Sequence, residues 1–417
     1  MSPRQPGRGF IFITLLLDIL GIGLVVPLMP RMVEQFTGGG PANAALLYGF
    51  FAALYAVMQF LFSPLLGNLS DRFGRRPVLL LSLVGAGLAY LVMGWAPTLA
   101  WLFVARALGG ITGASIGTAT AYLADVSPPE KRAQSFALVG VAFGLGFILG
   151  PAMGGILGQL DLKLPFYVAS GLAFANALYG LFILPESLPP TRRRPFSLRR
   201  ANPLGTLRSL APHPLVLALC VPLVLSLIAQ RGIENVWALY TEYRFAWGPR
   251  QIGLSLALVG LGTALAQGLL TRRVIPRLGE RRTLVVFLGI GAAGMFLFGI
   301  ADQPLLLLGA ILLTSLGSVA GPALQALLSQ AVPAEEQGLL QGGLTSLQSM
   351  VHILAPLLMT NLFGTFAGED AALHLPGMPF LVSGALMVVA LFTARTLFRR
   401  HPRAQAEDGR VAVVTGR

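Results

Sequence analysis

The sequence predicts an all-α membrane protein with twelve transmembrane helices arranged as two six-helix bundles. Three observations carry that expectation. Of the 417 residues, 55% are hydrophobic and 11% are charged, whereas a water-soluble globular chain carries about 25% charged residues. The apolar residues fall into blocks of the length that crosses a bilayer: roughly 20 residues at about 1.5 Å each span about 30 Å of hydrocarbon. The second half of the chain also repeats marks of the first at a fixed offset.

Blocks bounded by charge, Gly or Pro place the spans at 10–30, 44–66, 77–96, 99–121, 135–158, 165–184, 213–236, 251–271, 283–301, 304–328, 338–361 and 377–397. The first block follows MSPRQPGRGF and contains Asp18 but no small-residue cleavage site, so it reads as a retained helix and not as a removed signal. Very short connections, APT and ADQP, separate the third from the fourth span and the ninth from the tenth. The connection at 185–212 is the longest and contains PPTRRRPFSLRR, so it reads as a linker between the bundles. Topology accounts for its arginines, and binding to anionic headgroups is the functional alternative. The organisation expected is therefore an N-terminal bundle at 1–184, the linker, a C-terminal bundle at 213–398 and a polar tail at 399–417.

An even number of spans puts both termini on one side. Segments on that side hold 24 of the 30 Lys and Arg residues, which marks it as cytoplasmic. The net charge of +13 is thus distributed between apolar blocks and does not form the continuous basic face that a nucleic acid needs. One Cys and four His exclude an intrachain disulfide and any four-Cys/His metal cluster of common spacing. No hydrolase constellation, cofactor motif or metal site is expected.

An offset of 205 residues aligns RFGRR at 72–76 with RLGER at 277–281, SPPE at 127–130 with VPAE at 332–335, and GP at 150–151 with AP at 355–356. A shared offset near half the chain length marks a duplication. Six spans per half, inserted in the same direction, relate the halves by an axis along the membrane normal. Two such bundles facing each other across a cavity form the major facilitator fold, which permits alternating access.

Particular strings extend this reading. GNLSDRFGRRPVLL at 67–80 resembles the signature loop of major facilitator transporters, and GLGFILGPAMGG at 144–155 resembles the antiporter signature of their drug-exporting members. LLLDILGIGLVVPLMP (15–30), ALYAVMQFLFSPLLG (53–67), ARALGGITGA (105–114) and LYTEYRFAWG (239–248) resemble the tetracycline/H+ antiporter family. The resemblance implies drug:proton antiport across a bacterial inner membrane, with a small drug-like molecule, protons and membrane lipids as partners. A monomer is the expected working unit.

The candidate residues follow from where charge and small side chains fall. Asp18 lies about eight residues inside the first span, where a lone carboxylate costs on the order of 3 kcal/mol unless it faces a partner, a cavity or a proton. It reads as the proton-coupling group, with a structural ion pair as the alternative; Arg106 in the fourth span is the partner it can meet near the centre. Asp71, Arg72, Gly74, Arg75 and Arg76 form the gating loop, with Asp71 placed to accept N–H bonds from the following helix, and Asp125 and Arg132 are candidate latch partners. Pro276 stands where the offset places Asp71, so the second loop is expected to latch more weakly or differently. Gly146, Gly150, Gly154 and Gly155, with Pro151, form the antiporter motif; close packing and a specialised antiport function both explain small residues at intervals of four.

Tyr55, Gln59, Gln230, Arg231, Glu234, Asn235, Gln267 and Gln325 are candidates for a polar substrate wall, although Arg231 and Glu234 also read as a self-neutralising i,i+3 pair. Against the tetracycline pattern, Ala89 and Ala292 stand where the resemblance implies intramembrane Asp residues, and Thr263 where it implies His in one subgroup. The expectation is therefore proton-coupled export of small amphipathic compounds. A tetracycline-specific antiporter and a non-transporting sensor or structural protein of the same fold are the alternatives.

Overall fold

The computed structural model describes residues 8–38, 40–113, 116–127, 132–193, 195, 213–333, 336–368 and 371–400, with 8–11 and 132–137 described as backbone. Eleven helical segments among the described residues are long and apolar enough to cross a membrane. They are α1 (Phe12–Thr37), α2 (Gly40–Phe73), α3 (Arg75–Trp95), α4 (Leu99–Val126), α5 (Leu138–Leu160), α6 (Leu164–Ile183), α7 (Pro214–Phe245), the segment Pro249–Ile300, α10 (Pro304–Gln330), α11 (Gln337–Ala367) and α12 (Met378–Arg400). Pro249–Ile300 has 52 residues, and a helix of that length would reach about 78 Å, so it contributes two spans. These are α8 (Pro249–Leu265), continued by a π-helical turn at Ala266–Leu270, and α9 (Thr271–Ile300). The count is twelve, in two six-helix bundles.

Hydropathy located every span, and the helices outrun its limits. α2 continues through NLSDRF to Phe73, and α7 reaches Phe245 instead of ending near 236. Polar residues at the interface keep the helical hydrogen-bond ladder going after the apolar block ends, so hydrocarbon thickness marks the minimum length of a span. α1 reaches Thr37 through a 3₁₀ turn at Val26–Leu28, where Pro27 interrupts the regular ladder. The basic stretch 272–282, expected as a loop between the eighth and ninth spans, is assigned helical conformation except at Gly279, which has φ 70° and ψ 161°.

Gly279 makes the duplication visible in the backbone. Gly74, 205 residues earlier, has φ 109° and ψ 158° and caps the start of α3. Both lie in a region open essentially to glycine alone, so each half turns sharply at the same place, ahead of α3 in the N-terminal half and within Thr271–Ile300 in the C-terminal half.

Within the N-terminal half, α1 packs on α5, and α3 packs on α4 and α6. Polar side chains bind neighbouring helices through backbone carbonyls: Ser170 Oγ donates to Gly87 O at 2.8 Å, Tyr167 Oη to Gly94 O at 3.0 Å and Asn176 Nδ2 to Thr14 O at 2.9 Å. Such bonds and close small-residue contacts take the role that hydrophobic burial plays in water. In the C-terminal half an aromatic cluster joins α7, α9 and α12. Trp237 and Phe298 have ring centroids 5.0 Å apart, and Tyr240 and Phe380 have centroids 4.9 Å apart, both edge-on. Trp237 Nε1 donates to Ser255 Oγ at 2.8 Å and so adds α8. Outward-facing side chains such as Leu81, Leu160, Phe182 and Leu305 are more than two-thirds exposed, which suits an exterior of lipid.

The halves meet through α5 against α8 and α2 against α11. A Cβ on Gly49 of α2 would collide with Thr360 of α11, and one on Gly155 of α5 would lie 2.9 Å from the Cα of Gly253 in α8. Where the chain first enters the linker, Tyr122 Oη donates to Pro185 O at 2.8 Å, so the start of the linker is fastened to the N-terminal half.

Candidate functional site

The site has three layers along the bundle, beginning at the end that carries the Arg-rich loops. There Arg75 is the hub. Its Nη1 pairs with Asp71 Oδ1 at 2.6 Å and donates to Ser70 Oγ at 2.6 Å, while its Nε reaches Asp125 Oδ2 at 3.3 Å. The expected Asp71 and Asp125 partners are thus both on one guanidinium.

The helix-capping role expected of Asp71 belongs to Glu186, a residue the sequence reading missed. Its carboxylate accepts from the backbone N of Arg75 at 2.8 Å and of Arg76 at 3.3 Å, satisfying donors at the positive end of α3. Asp71 lies on the other side of the Gly74 turn and cannot take that position. Ser187 Oγ adds a bond to Asp125 Oδ2 at 3.2 Å, and Arg76 Nη2 donates to Leu181 O at 2.6 Å. The cluster therefore ties α2, α3, α4 and α6 into one half. Arg72 points elsewhere, its guanidinium 5.1 Å from the Phe73 ring centre. The side chain of Arg132 lies outside the described residues.

The middle layer contains a cavity of about 70 Å³ inside the N-terminal half, lined among others by Asp18, Tyr55, Ala89, Tyr90 and Arg106. Asp18 and Arg106 share it, but they form no ion pair within 4.0 Å, so the structural-pair alternative for Asp18 is not the arrangement found among the described residues. Arg106 instead lies over aromatic faces, its guanidinium 4.2 Å from the Tyr55 ring centre and 5.1 Å from that of Phe51. Such contacts stabilise a cation without neutralising it.

Tyr55 is seated by absent side chains, since a Cβ on Gly113 would collide with its hydroxyl and one on Gly110 would lie 2.5 Å from its carbonyl oxygen. One turn on, Gln59 Nε2 donates to Gly113 O at 3.2 Å. Ala89, 1% exposed, occupies the cavity wall and brings no charge to it. Ala292 is likewise buried in the C-terminal half.

Across the interface, Arg231 and Glu234 of α7 are paired, and Arg231 Nη2 lies 2.6 Å from His352 Nε2 on α11. Asn235 Nδ2 donates to Arg231 O at 2.8 Å. His352 was not singled out in the sequence, although an imidazole within an apolar span was the available signal. The other wall candidates are not gathered here: Gln230 is exposed, Gln267 lies exposed on the π-helical turn, and Gln325 Nε2 donates to Gln341 Oε1 at 3.2 Å.

The antiporter motif lies between layers. Gly146, Gly150 and Gly154 admit Ile19, Gly23 and Leu24 of α1, whereas Gly155 faces α8. α5 stays helical through Pro151, whose carbonyl oxygen is approached by Gly253. At the end remote from the basic loops, Arg31 of α1 pairs with Glu242 of α7 at 2.7 Å, and its Nη2 donates to Trp247 O at 2.9 Å. Both residues went unremarked in the sequence because separate interfacial charges read as ordinary snorkelling groups.

Two six-helix bundles with charged side chains inside the spans form the architecture of a secondary active transporter. The Major Facilitator Superfamily profile matches residues 11–233 and 223–414, and the chain belongs to that superfamily. It is 39% identical over 380 residues to the class C tetracycline resistance protein of Escherichia coli, covering 89% of this chain and 95% of that one. It is 30% identical to multidrug resistance protein 2 of Bacillus subtilis (strain 168), covering 91% and 93%. Among solved structures, the human organic anion transporter MFSD10 (TETRAN) aligns with a TM-score of 0.69 at 27% identity, covering 94% of this chain and all of that one. A D-xylose-proton symporter aligns at 0.72 and 18% identity, covering 93% and 96%.

Proposed function

We propose that the chain exports small amphipathic, drug-like compounds across the bacterial inner membrane in exchange for protons. The observation that carries this reading is Asp18: a carboxylate on the cavity wall, without an ion-pair partner among the described residues, beside an arginine held by ring faces. An intramembrane carboxylate so placed is suited to taking up and releasing a proton as access alternates. The halves at 1–184 and 213–398 rock about their interface as a monomer, with the basic loops and both termini on the cytoplasmic side. The pair between Arg31 and Glu242 joins the halves at the end remote from the basic loops and supports a gate there. Polar groups inside the spans favour transport over a passive scaffold, which has no need of them.

Identity to a tetracycline resistance protein supports the narrower reading of a tetracycline antiporter. The uncharged cavity wall at Ala89 weighs against it, because a metal-drug cation needs compensating charge.

The test is transport in reconstituted vesicles with an imposed proton gradient. D18N should insert and fold normally but lose proton-driven accumulation of fluorescent drug-like compounds. Unchanged drug-dependent proton movement in correctly folded D18N would remove the role given to Asp18.

A further inference from the structure

Arg231, Glu234 and His352 form a cluster to which the export reading gives no defined ligand. Glu234 follows Arg231 by one turn and pairs with its Nη1, while Nη2 lies 2.6 Å from His352 Nε2. A guanidinium offers only donors, so His352 accepts at Nε2 and carries its ring proton on Nδ1. These two contacts engage two of the five N–H donors of Arg231. The Arg231 and Glu234 side chains are 27% and 46% exposed, so the pair is not sealed between packed helices.

Position gives the cluster its meaning. α2 packs against both α7 and α11. His352 is eight residues from Thr360, the α11 residue that meets Gly49, or about 12 Å deeper along the helix. The cluster is therefore at the junction of the halves. Arg106, on the opposite side, has no carboxylate partner among the described residues, and its buried Nε has no acceptor.

The geometry points to Arg231 as the group that binds the carboxylate of an acidic or zwitterionic amphiphile. Glu234 is the internal carboxylate that occupies Arg231 when the substrate is absent, and His352 holds the planar guanidinium in the orientation for a two-point bond. An incoming carboxylate that displaces Glu234 restores the charge balance at Arg231, and the freed Glu234 side chain is already nearly half exposed. This rests on the export reading and names the class of substrate for that path.

The probe is a xanthene dye bearing a free carboxylate, compared with its methyl ester, in equilibrium binding to the full-length protein by fluorescence anisotropy. Wild type should bind the acid about tenfold more tightly than the ester, the equivalent of one good charged contact. R231Q should abolish that preference by weakening the acid alone, and E234Q should tighten the acid several-fold by removing its internal competitor. R231K keeps the charge without the fork and should retain only part of the preference; it decides the matter if R231Q does not assemble. Equal affinities in wild type, equal weakening of both dyes in R231Q, an unchanged preference in R231K or weaker acid binding in E234Q would each overturn the assignment. Proton-driven transport of the ester in vesicles reports separately on export, so loss of that activity is distinguishable from loss of the carboxylate preference.

Discussion

Arg75 and Asp125 are paired at 3.3 Å, and the residues 205 positions later, Glu280 and Gln330, are also bonded, at 3.4 Å. The duplication has preserved the contact while changing its chemistry from an ion pair to a hydrogen bond between a carboxylate and an amide. Pro276 stands in place of a second Asp71, so the C-terminal stretch lacks the counterpart of the pair between Asp71 and Arg75. Arg281 there stacks over Phe398 at 5.0 Å. The two loops are alike in backbone and unequal in the chemistry of that contact.

That inequality predicts different costs for the same substitution. G279A should lower stability by about 1–3 kcal/mol, the cost of a side chain in a glycine-only backbone region. G74A should cost more, because its Cβ would also collide with the Glu186 carboxylate and disrupt the cap of α3. Thermal unfolding of purified protein in one detergent gives the comparison, and equal losses would contradict the capping role of Glu186.

Asp71 contributes one of several contacts to Arg75, so D71N should leave the fold in place and affect cycling. We expect exchange between inward- and outward-open states to slow roughly tenfold, the effect of about 1.4 kcal/mol on a barrier, with ligand affinity in a fixed state unchanged. Spin-label distances between the helix ends at the Arg-rich loops, with exchange followed in real time, measure this. Identical populations and rates in D71N and wild type would refute it.

The pair Arg31–Glu242 joins α1 to α7 while both side chains are about one-fifth exposed. A pair of that exposure contributes about 1 kcal/mol, so R31Q or E242Q should shift the equilibrium roughly fivefold toward opening at that end. Fluorescence energy transfer between labels on the ends of α1 and α7 reads the shift. Charge reversal of both residues together should restore much of the closed population, which a purely local effect would not.

Ala89 leaves the cavity wall neutral at a position where the tetracycline resemblance implies a carboxylate. Wild type should therefore not prefer magnesium-tetracycline, and A89D should raise the kcat/KM for that cation relative to metal-free compounds by roughly tenfold if it folds, a change of about 1.4 kcal/mol. Transport at matched protein levels decides. A wild-type kcat/KM for magnesium-tetracycline clearly above that for every metal-free amphiphile would defeat the prediction.

The amino-acid sequence by itself determined the fold, because span length, apolar content and a repeated pattern are local properties that a bilayer reads directly. The twelve spans, the halves and the sharp turns at Gly74 and Gly279 all follow from residues close in sequence or from the 205-residue offset. Asp18 and Arg106 were legible as unusual charges in apolar surroundings. Their separation, with Arg106 committed to the rings of Phe51 and Tyr55, was not. Tertiary structure alone joined Arg75 to Glu186 across 111 positions, Arg231 to His352 across 121 and Arg31 to the Trp247 carbonyl across 216. A charge is read from one position, but its partner is chosen by helix rotation and by which faces small residues allow to meet; that choice depends on all twelve helices packing at once.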